Sequence, residues 1–279
     1  MIHPIYTCLW FDGQARDAAE FYGSIFDNSK ITSDNGMVVN FELAGQKFMG
    51  LNGGPHFKFN PSISFYVMCD SAAEVNEKWA KLIDGGNALM EVGAYPWSER
   101  YGWLQDKFGF SWQFNYQTSG TVGKKIVPSL LFTQDQLGNA KKAIDFYTKT
   151  FENSSIIEEA PYPQGGDFEG MLMYSSSTLS GFPIVAMDGL ADHRFVFNEA
   201  VSLVVECDTQ EEIDFLWNTF TADGGQESMC GWLKDKFGIS WQIVPSILGK
   251  LMSEPEKGQR VVQAFMQMKK FEIQKLLDA

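Results

Sequence analysis

The sequence predicts an α+β protein made of four βαβββ units, paired into two curved mixed sheets with helices outside. Three observations carry this expectation. The chain repeats itself: WLQDKFGFSWQF (103–114) recurs as WLKDKFGISWQI (232–243), FNPSISFYVMCD (59–70) as FNEAVSLVVECD (197–208), and AAEFYGSIFDNSKI (18–31) as AIDFYTKTFENSSI (143–156), in the same order. Within each copy, short strand-like segments flank two helix-like ones. The 44% hydrophobic and 14% aromatic content is ample for packed cores, and 279 residues match two domains at roughly 150 residues each. The first copy spans 1–118, the polar SGTVGKKI (119–126) reads as a linker, and the second copy spans 127–279.

Residues 4–11 (PIYTCLWF) read as a buried strand. Ala15, Ala18, Ala19, Tyr22, Ile25 and Phe26 then fall at helical spacing, as do Ala140, Ala143, Ile144, Tyr147 and Phe151 in the second copy. Short strands are expected near 37–43 and 46–52, broken at Ala44-Gly45. Residues 62–69 alternate, with Ile63, Phe65, Val67 and Cys69 on one face and Ser64, Tyr66 and Met68 on the other. Ser71-x-x-Glu74 and Thr209-x-x-Glu212 are capping boxes that open the second helix of each copy. Val75, Trp79, Leu82 and Ile83 form its buried stripe, and Gly85-Gly86 and Gly224-Gly225 end it. FSWQFNY (110–116) is the last strand of the first copy. The copies differ at a long loop over 87–102, matched only by QESMCG (226–231), and at an excursion over 158–170. Residues 261–279 read as one amphipathic helix that packs Val261, Phe265, Met268 and Leu276 on the body.

The net charge is −13 and both halves are acidic, which disfavours nucleic acid and anionic membranes as partners. No run approaches the ~18 apolar residues of a membrane span, and MIHPIYTCLWF has no basic stretch before its apolar core. The expected location is the cytoplasm. Cys8, Cys69, Cys207 and Cys230 show no CxxC spacing, so neither a disulfide framework nor a zinc knuckle is indicated.

LWFDGQARDAAEFYGSIF, LAGQKFMGLNGGPHFKFNPSISF, ERYGWLQDKFGFSWQF and FMQMKKFEI resemble the PhnB-like family, also labelled 3-demethylubiquinone-9 3-methyltransferase-like. That family is a branch of the vicinal-oxygen-chelate superfamily of glyoxalases, extradiol dioxygenases and bleomycin-resistance proteins. The resemblance implies sheets of the glyoxalase and bleomycin-resistance type. It also implies that the two fused copies build a dimer-like arrangement in one chain, either a monomeric pseudo-dimer or a homodimer. The methyltransferase label finds no nucleotide site, because the Gly-Gly pairs at 53–54, 85–86, 165–166 and 224–225 read as turns.

Enzymes of the superfamily hold a divalent ion on the concave sheet through His and Glu. The matching positions here are Tyr6 or Thr7, Val127 or Pro128, Ser64, Ser202, Gln113 and Gln242, none of them a histidine or carboxylate. No metal and no cofactor is therefore expected. The expected partner is a small apolar or aromatic organic molecule held in the concave sheets by Ser64, Tyr66, Trp103, Gln113, Ser202, Trp232, Gln242, His56 and His193. The alternative is a metal-dependent isomerase, dioxygenase or lyase. His56 and His193 are either rim groups or turn histidines, and Trp103, Trp112, Trp232 and Trp241 either line a cavity or fill the core. If Trp112 faces the helices, Ser111 and Gln113 face the concave side. Asp106 and Asp235 are read as acceptors of backbone N–H groups in the DKFG turns, and Cys8, Cys69 and Cys207 as small buried hydrophobes. Cys230 is left as the reactive one. Tyr95, Trp97 and Tyr101, beside Arg100, suggest that the 87–102 loop covers a pocket mouth or the contact between copies, or packs on its own sheet.

Overall fold

The computed structural model describes residues 5–117 and 126–279; His3 and all of the linker but Ile126 lie outside them. Four βαβββ units follow one another. The first holds β1 (Tyr6–Phe11), α1 (Ala15–Gly23), β2 (Lys30–Asp34), β3 (Val38–Leu43) and β4 (Gln46–Asn52). The second holds β5 (Ile63–Met68), α2 (Ala72–Leu82), β6 (Asn87–Tyr95), β7 (Ser98–Gln105) and β8 (Ser111–Tyr116). The third holds β9 (Ile126–Phe132), α3 (Ala140–Thr150), β10 (Ser155–Pro161), β11 (Leu172–Leu179) and β12 (Phe182–Asp188). The fourth holds β13 (Val201–Cys207), α4 (Gln210–Thr221), β14 (Gln226–Glu227), β15 (Trp232–Lys234) and β16 (Ser240–Pro245). Three short helices, α5 (Leu248–Ser253), α6 (Gly258–Phe265) and α7 (Ile273–Asp278), close the chain.

The units exchange partners. One eight-stranded sheet has the order β14-β15-β16-β13-β1-β4-β3-β2 and joins the first unit to the fourth. The other, β10-β11-β12-β9-β5-β8-β7-β6, joins the third to the second. Each sheet is seamed by one antiparallel pair, β1 with β13 and β5 with β9, between parallel pairs. The FxFN segments tie the copies together reciprocally: Asn60 Nδ2 donates to the Val196 carbonyl and Asn198 Nδ2 to the Lys58 carbonyl, both at 2.9 Å. Gln46 adds a second tie, donating to the Ile126 carbonyl (2.8 Å) and accepting from its N–H (3.1 Å).

The helices form where apolar periodicity and caps placed them. α1 buries Ala15, Ala18, Ala19 and Tyr22, and α2 buries Val75, Trp79 and Leu82. Thr209 forms the full reciprocal box with Glu212. At α2, Ser71 Oγ accepts from the Glu74 N–H, while the Glu74 carboxylate reaches back to the N–H of Asp70 (2.6 Å). Among the described residues no helix is long and apolar enough to cross a membrane.

Two local expectations are corrected, and one strand is added to those the sequence bounds. β2 completes the first unit, although only Ile31 of its residues is even half-buried; it is an edge strand whose polar side chains give no alternation. Residues 87–102 are not a loop but most of the β6–β7 hairpin, which extends the sheet to its edge with several register shifts. Its tip stacks Tyr95 on Trp97, ring centroids 5.1 Å apart, and leaves Trp97 half exposed. The terminal helix is broken over 266–272. There the Met268 and Lys269 carbonyls accept from the N–H groups of Cys230 and Gly231 (both 2.7 Å), and Gln210 brackets Phe271 and Ile273. Tertiary hydrogen bonds replace helical ones. Val261, Met268 and Leu276 are still buried in the core, whereas Phe265 only packs against it.

Candidate functional site

The sheet faces are set by the two tryptophans of the SWQ strands. Trp112 and Trp241 are fully buried in the helix-side core with Phe114 and Ile243. Ser111, Gln113 and Asn115, and likewise Ser240 and Gln242, therefore point to the opposite, concave face. On β5 the same alternation sends Phe65 and Val67 to the core and Ser64 and Tyr66 to the concave face.

On the sheet that carries β5, Ser64 pairs across the ladders with Ser111 and with Ser129. Gln113 Nε2 donates to Ser64 Oγ at 2.6 Å, and the Tyr101 hydroxyl donates to Gln113 Oε1 at 2.7 Å. Trp103 Nε1 donates to Ser111 Oγ at 2.7 Å. Tyr66 lies beside Tyr174, ring centroids 6.0 Å apart, and burial holds its phenol well above the usual range. Ser129 Oγ and Asn115 Oδ1 are buried without hydrogen-bond partners among the described residues. His193 is half-buried beside Phe195 and Trp103, with ring centroids 4.9 and 6.4 Å away, and burial pulls its pKa down. His56 sits in an exposed turn.

The sheet that carries β1 repeats the central pair, with Gln242 Nε2 donating to Ser202 Oγ at 2.9 Å. Opposite Ser202 stands Cys8. Its thiol contacts the Gln242 and Ser202 side chains, and burial pushes it up to about 12, so it stays protonated at neutral pH. Trp232 lies edge-on to Trp10, centroids 6.0 Å apart, and Phe57 packs on Trp10 at 5.0 Å. Trp10, Phe57, Trp232 and Ser240 line a cavity of about 370 Å³, with Glu199 and Lys234 paired at 2.6 Å on its wall.

The structure thus brings Ser64, Tyr66, Trp103 and Gln113 onto one face, with His193 at its side, and Ser202, Trp232 and Gln242 onto the other. His56 joins neither hydrogen-bonded set. Sequence reasoning missed Cys8, Ser129, Tyr101, Trp10 and Ser240. It placed the first-strand position at Tyr6 or Thr7 and at Val127 or Pro128. Tyr6 and Val127 do lie on the concave faces, paired with Val204 and Tyr66, whereas Thr7 and Pro128 pair with the core-facing Leu203 and Phe65; the residues opposite Ser202 and Ser64 are Cys8 and Ser129. Aligning YTCLWF with IVPSLLF would have exposed that match.

Asp106 and Asp235 belong to the core. Asp235 accepts from Tyr147 Oη (2.6 Å), Trp241 Nε1 (2.9 Å) and the N–H groups of Phe237 and Ile239 (2.8 and 3.1 Å). Asp106 repeats this with Tyr22, Trp112, Phe108 and Phe110. Cys69 and Cys207 are also helix-side core. Cys230 lines the cavity, and burial raises its thiol rather than activating it.

The central donor set on each concave face is neutral, while Lys47 and Glu206, farther along the β1 face, pair with each other at 2.6 Å. Cys8, Met49, Ser202 and Gln242 occupy adjacent strands of one sheet, and Ser129, Val185, Ser64 and Gln113 the matching positions of the other. Among the described residues no group of three or more His, Cys, Asp or Glu could hold a metal ion.

The family model for 3-demethylubiquinone-9 3-methyltransferase matches residues 3–115 and again 124–244, once in each copy. The chain belongs to this family. A PhnB protein from Bacillus cereus is 38% identical, covering 41% of this chain and 100% of its own, with a TM-score of 0.39. A protein from Staphylococcus aureus is 30% identical over 42% of this chain and 97% of its own, with a TM-score of 0.19. Glyoxalase I from Zea mays aligns over 88% of this chain and 92% of its own at a TM-score of 0.58 and 10% identity, which shows the shared fold. A search of the curated proteins finds no match.

Proposed function

We propose that this chain is a cytoplasmic, metal-free binding protein that holds a small apolar or aromatic molecule in its concave sheets, working as a monomeric pseudo-dimer. One observation carries the reading. The central polar groups of both faces are neutral and already bonded to each other, Gln113 to Ser64 and Gln242 to Ser202. Serine hydroxyls, a carboxamide and a protonated thiol do not offset the dehydration of a small dication. They do orient a neutral ligand, while Trp10, Phe57 and Trp232 supply apolar wall. The acidic balance of the chain supports neither nucleic acid nor membrane as the partner.

Methyl transfer is not part of this reading. A nucleotide-borne methyl donor is usually held by a glycine turn that opens a helix. The Gly-Gly pairs at 53–54, 85–86, 165–166 and 224–225 are instead followed by β5, β6, β11 and β14.

The test is titration of chelator-treated protein with zinc, nickel, manganese and iron(II), followed by elemental analysis. No stoichiometric binding of micromolar or tighter affinity is expected. Stoichiometric binding that disappears in Gln113→Ala or Gln242→Ala would restore the metal-dependent isomerase, dioxygenase or lyase.

A further inference from the structure

The two sheets carry the same Ser, Gln and Trp positions and complete them differently. On the β5 sheet, Trp103 Nε1 donates to Ser111 Oγ and Tyr101 to Gln113, so the chain itself supplies partners to this serine and glutamine, while Ser129 Oγ stays unpartnered among the described residues. On the β1 sheet, Cys230 stands in the place of Tyr101, CGW against YGW. Trp232 keeps the register of Trp103, each paired with its glutamine. Its ring nevertheless lies against Trp10, and Ser240 Oγ has no hydrogen-bond partner among the described residues although Ser240 is only 1% exposed. Ser240 lines the cavity of about 370 Å³ whose wall these two rings also form.

We propose that this cavity of the β1 sheet binds a planar aromatic molecule whose N–H or O–H pairs with Ser240 Oγ, as the Trp103 indole pairs with Ser111. The inference rests on the small-molecule reading above and adds the ligand class and the sheet. A buried hydroxyl without a partner is costly, and a ligand that pairs it recovers that loss on binding. The walls suit an aromatic ring, because Trp10, Phe57 and Trp232 offer edges and faces to it. The charged groups nearby are already paired, Glu199 with Lys234 and Glu227 with Lys269, so a neutral ligand fits better than an ion. The internal repeat supplies the template for the donor: an indole N–H 2.7 Å from the serine oxygen.

Indole and 1-methylindole are the probes, since they share the fused ring and the second replaces the N–H donor by a methyl group. Calorimetric titration of the intact chain with indole is expected to show one site. 1-Methylindole should bind about tenfold more weakly, the size of one hydrogen bond. Ser240→Ala should reduce indole to the affinity of 1-methylindole and leave 1-methylindole unchanged. In ¹H–¹⁵N spectra, indole should move the side-chain N–H signals of Trp10 and Trp232 and leave that of Trp103 in place. Equal binding of the two probes overturns the donor assignment, and shifts at Trp103 or two equal sites overturn the choice of sheet. No binding of either probe at millimolar concentration overturns the aromatic class. The metal titration is read independently, so failure here and failure of the metal-free reading are separate results.

Discussion

Asp235→Ala is expected to lower stability by about 4 kcal/mol, and the midpoint of thermal unfolding by roughly 10 °C for a chain of this size. The carboxylate collects four donors in a fully buried turn. Alanine leaves the Tyr147 hydroxyl, the Trp241 N–H and two backbone N–H groups without an acceptor, each at about 1–3 kcal/mol before relaxation. Removing a buried charge offsets part of that. Denaturant unfolding at pH 7 measures the difference, and a loss below about 1 kcal/mol would contradict the argument. The group also has a pH signature. Burial pushes the Asp235 carboxyl up to about 6, and its four hydrogen bonds recover only part of that shift. The neutral form is thus favoured by folding. Its contribution is complete below pH ~4 and is lost as the pH rises through about 6, a change of about 3 kcal/mol. Asp235→Asn, which cannot ionise, should lack this component when the two unfolding curves are compared across pH 4 to 7. Burial moves Asp106 in the same direction.

A chain ended after Ile247 is expected not to fold. The removed segment buries Leu251, Val261, Met268, Phe271 and Leu276. At about 1.5–3 kcal/mol each, their loss approaches the whole stability of an ordinary domain. In the second unit the β6–β7 hairpin runs on past the region that β14 and β15 cover in the fourth. The terminal segment takes over there, through the Met268 and Lys269 carbonyls bonded to the 230–231 turn. Gly231→Ala tests the same contact in a full-length chain. Gly231 has φ +80°, and a Cβ there would stand 2.5 Å from the Phe271 ring and 2.7 Å from the Ile243 carbonyl oxygen. A penalty of at least about 2 kcal/mol is expected from strain and overlap together. A cooperative unfolding transition in the truncated chain, or an unchanged midpoint in Gly231→Ala, would show that the segment is dispensable.

The family resemblance, applied to both copies of the repeat, made much of the candidate site legible. Ser64, Ser202, Gln113 and Gln242 are identified because they match the positions where the superfamily resemblance implies metal ligands, and a single phase assignment for Trp112 puts each glutamine on the concave face. Cys8 and Ser129 escaped because the strand around Cys8 is buried on both faces, without the polar and apolar alternation that reports a face. Tyr101 escaped for another reason: its hydroxyl reaches Gln113 only because residues 87–105 form a hairpin, and that segment carries no clean period.

By itself the sequence determined the number and order of the units, the inward faces of α1 to α3, the caps at Ser71 and Thr209, and the neutral chemistry of the matched concave positions. These are local properties, since periodicity and cap spacing record how each element meets a core whatever that core's partner is. Only the tertiary structure decided that the first unit pairs with the fourth and the second with the third. It also decided that 266–272 leaves the helix to bond Cys230 and Gly231, and that Trp103 bonds Ser111 while Trp232 lies against Trp10. Strand partnership depends on registers between residues more than a hundred positions apart. The orientation of an indole depends on which ring packs beside it, and repeats that match in sequence differ in those neighbours: Trp10 beside Trp232, His193 beside Trp103.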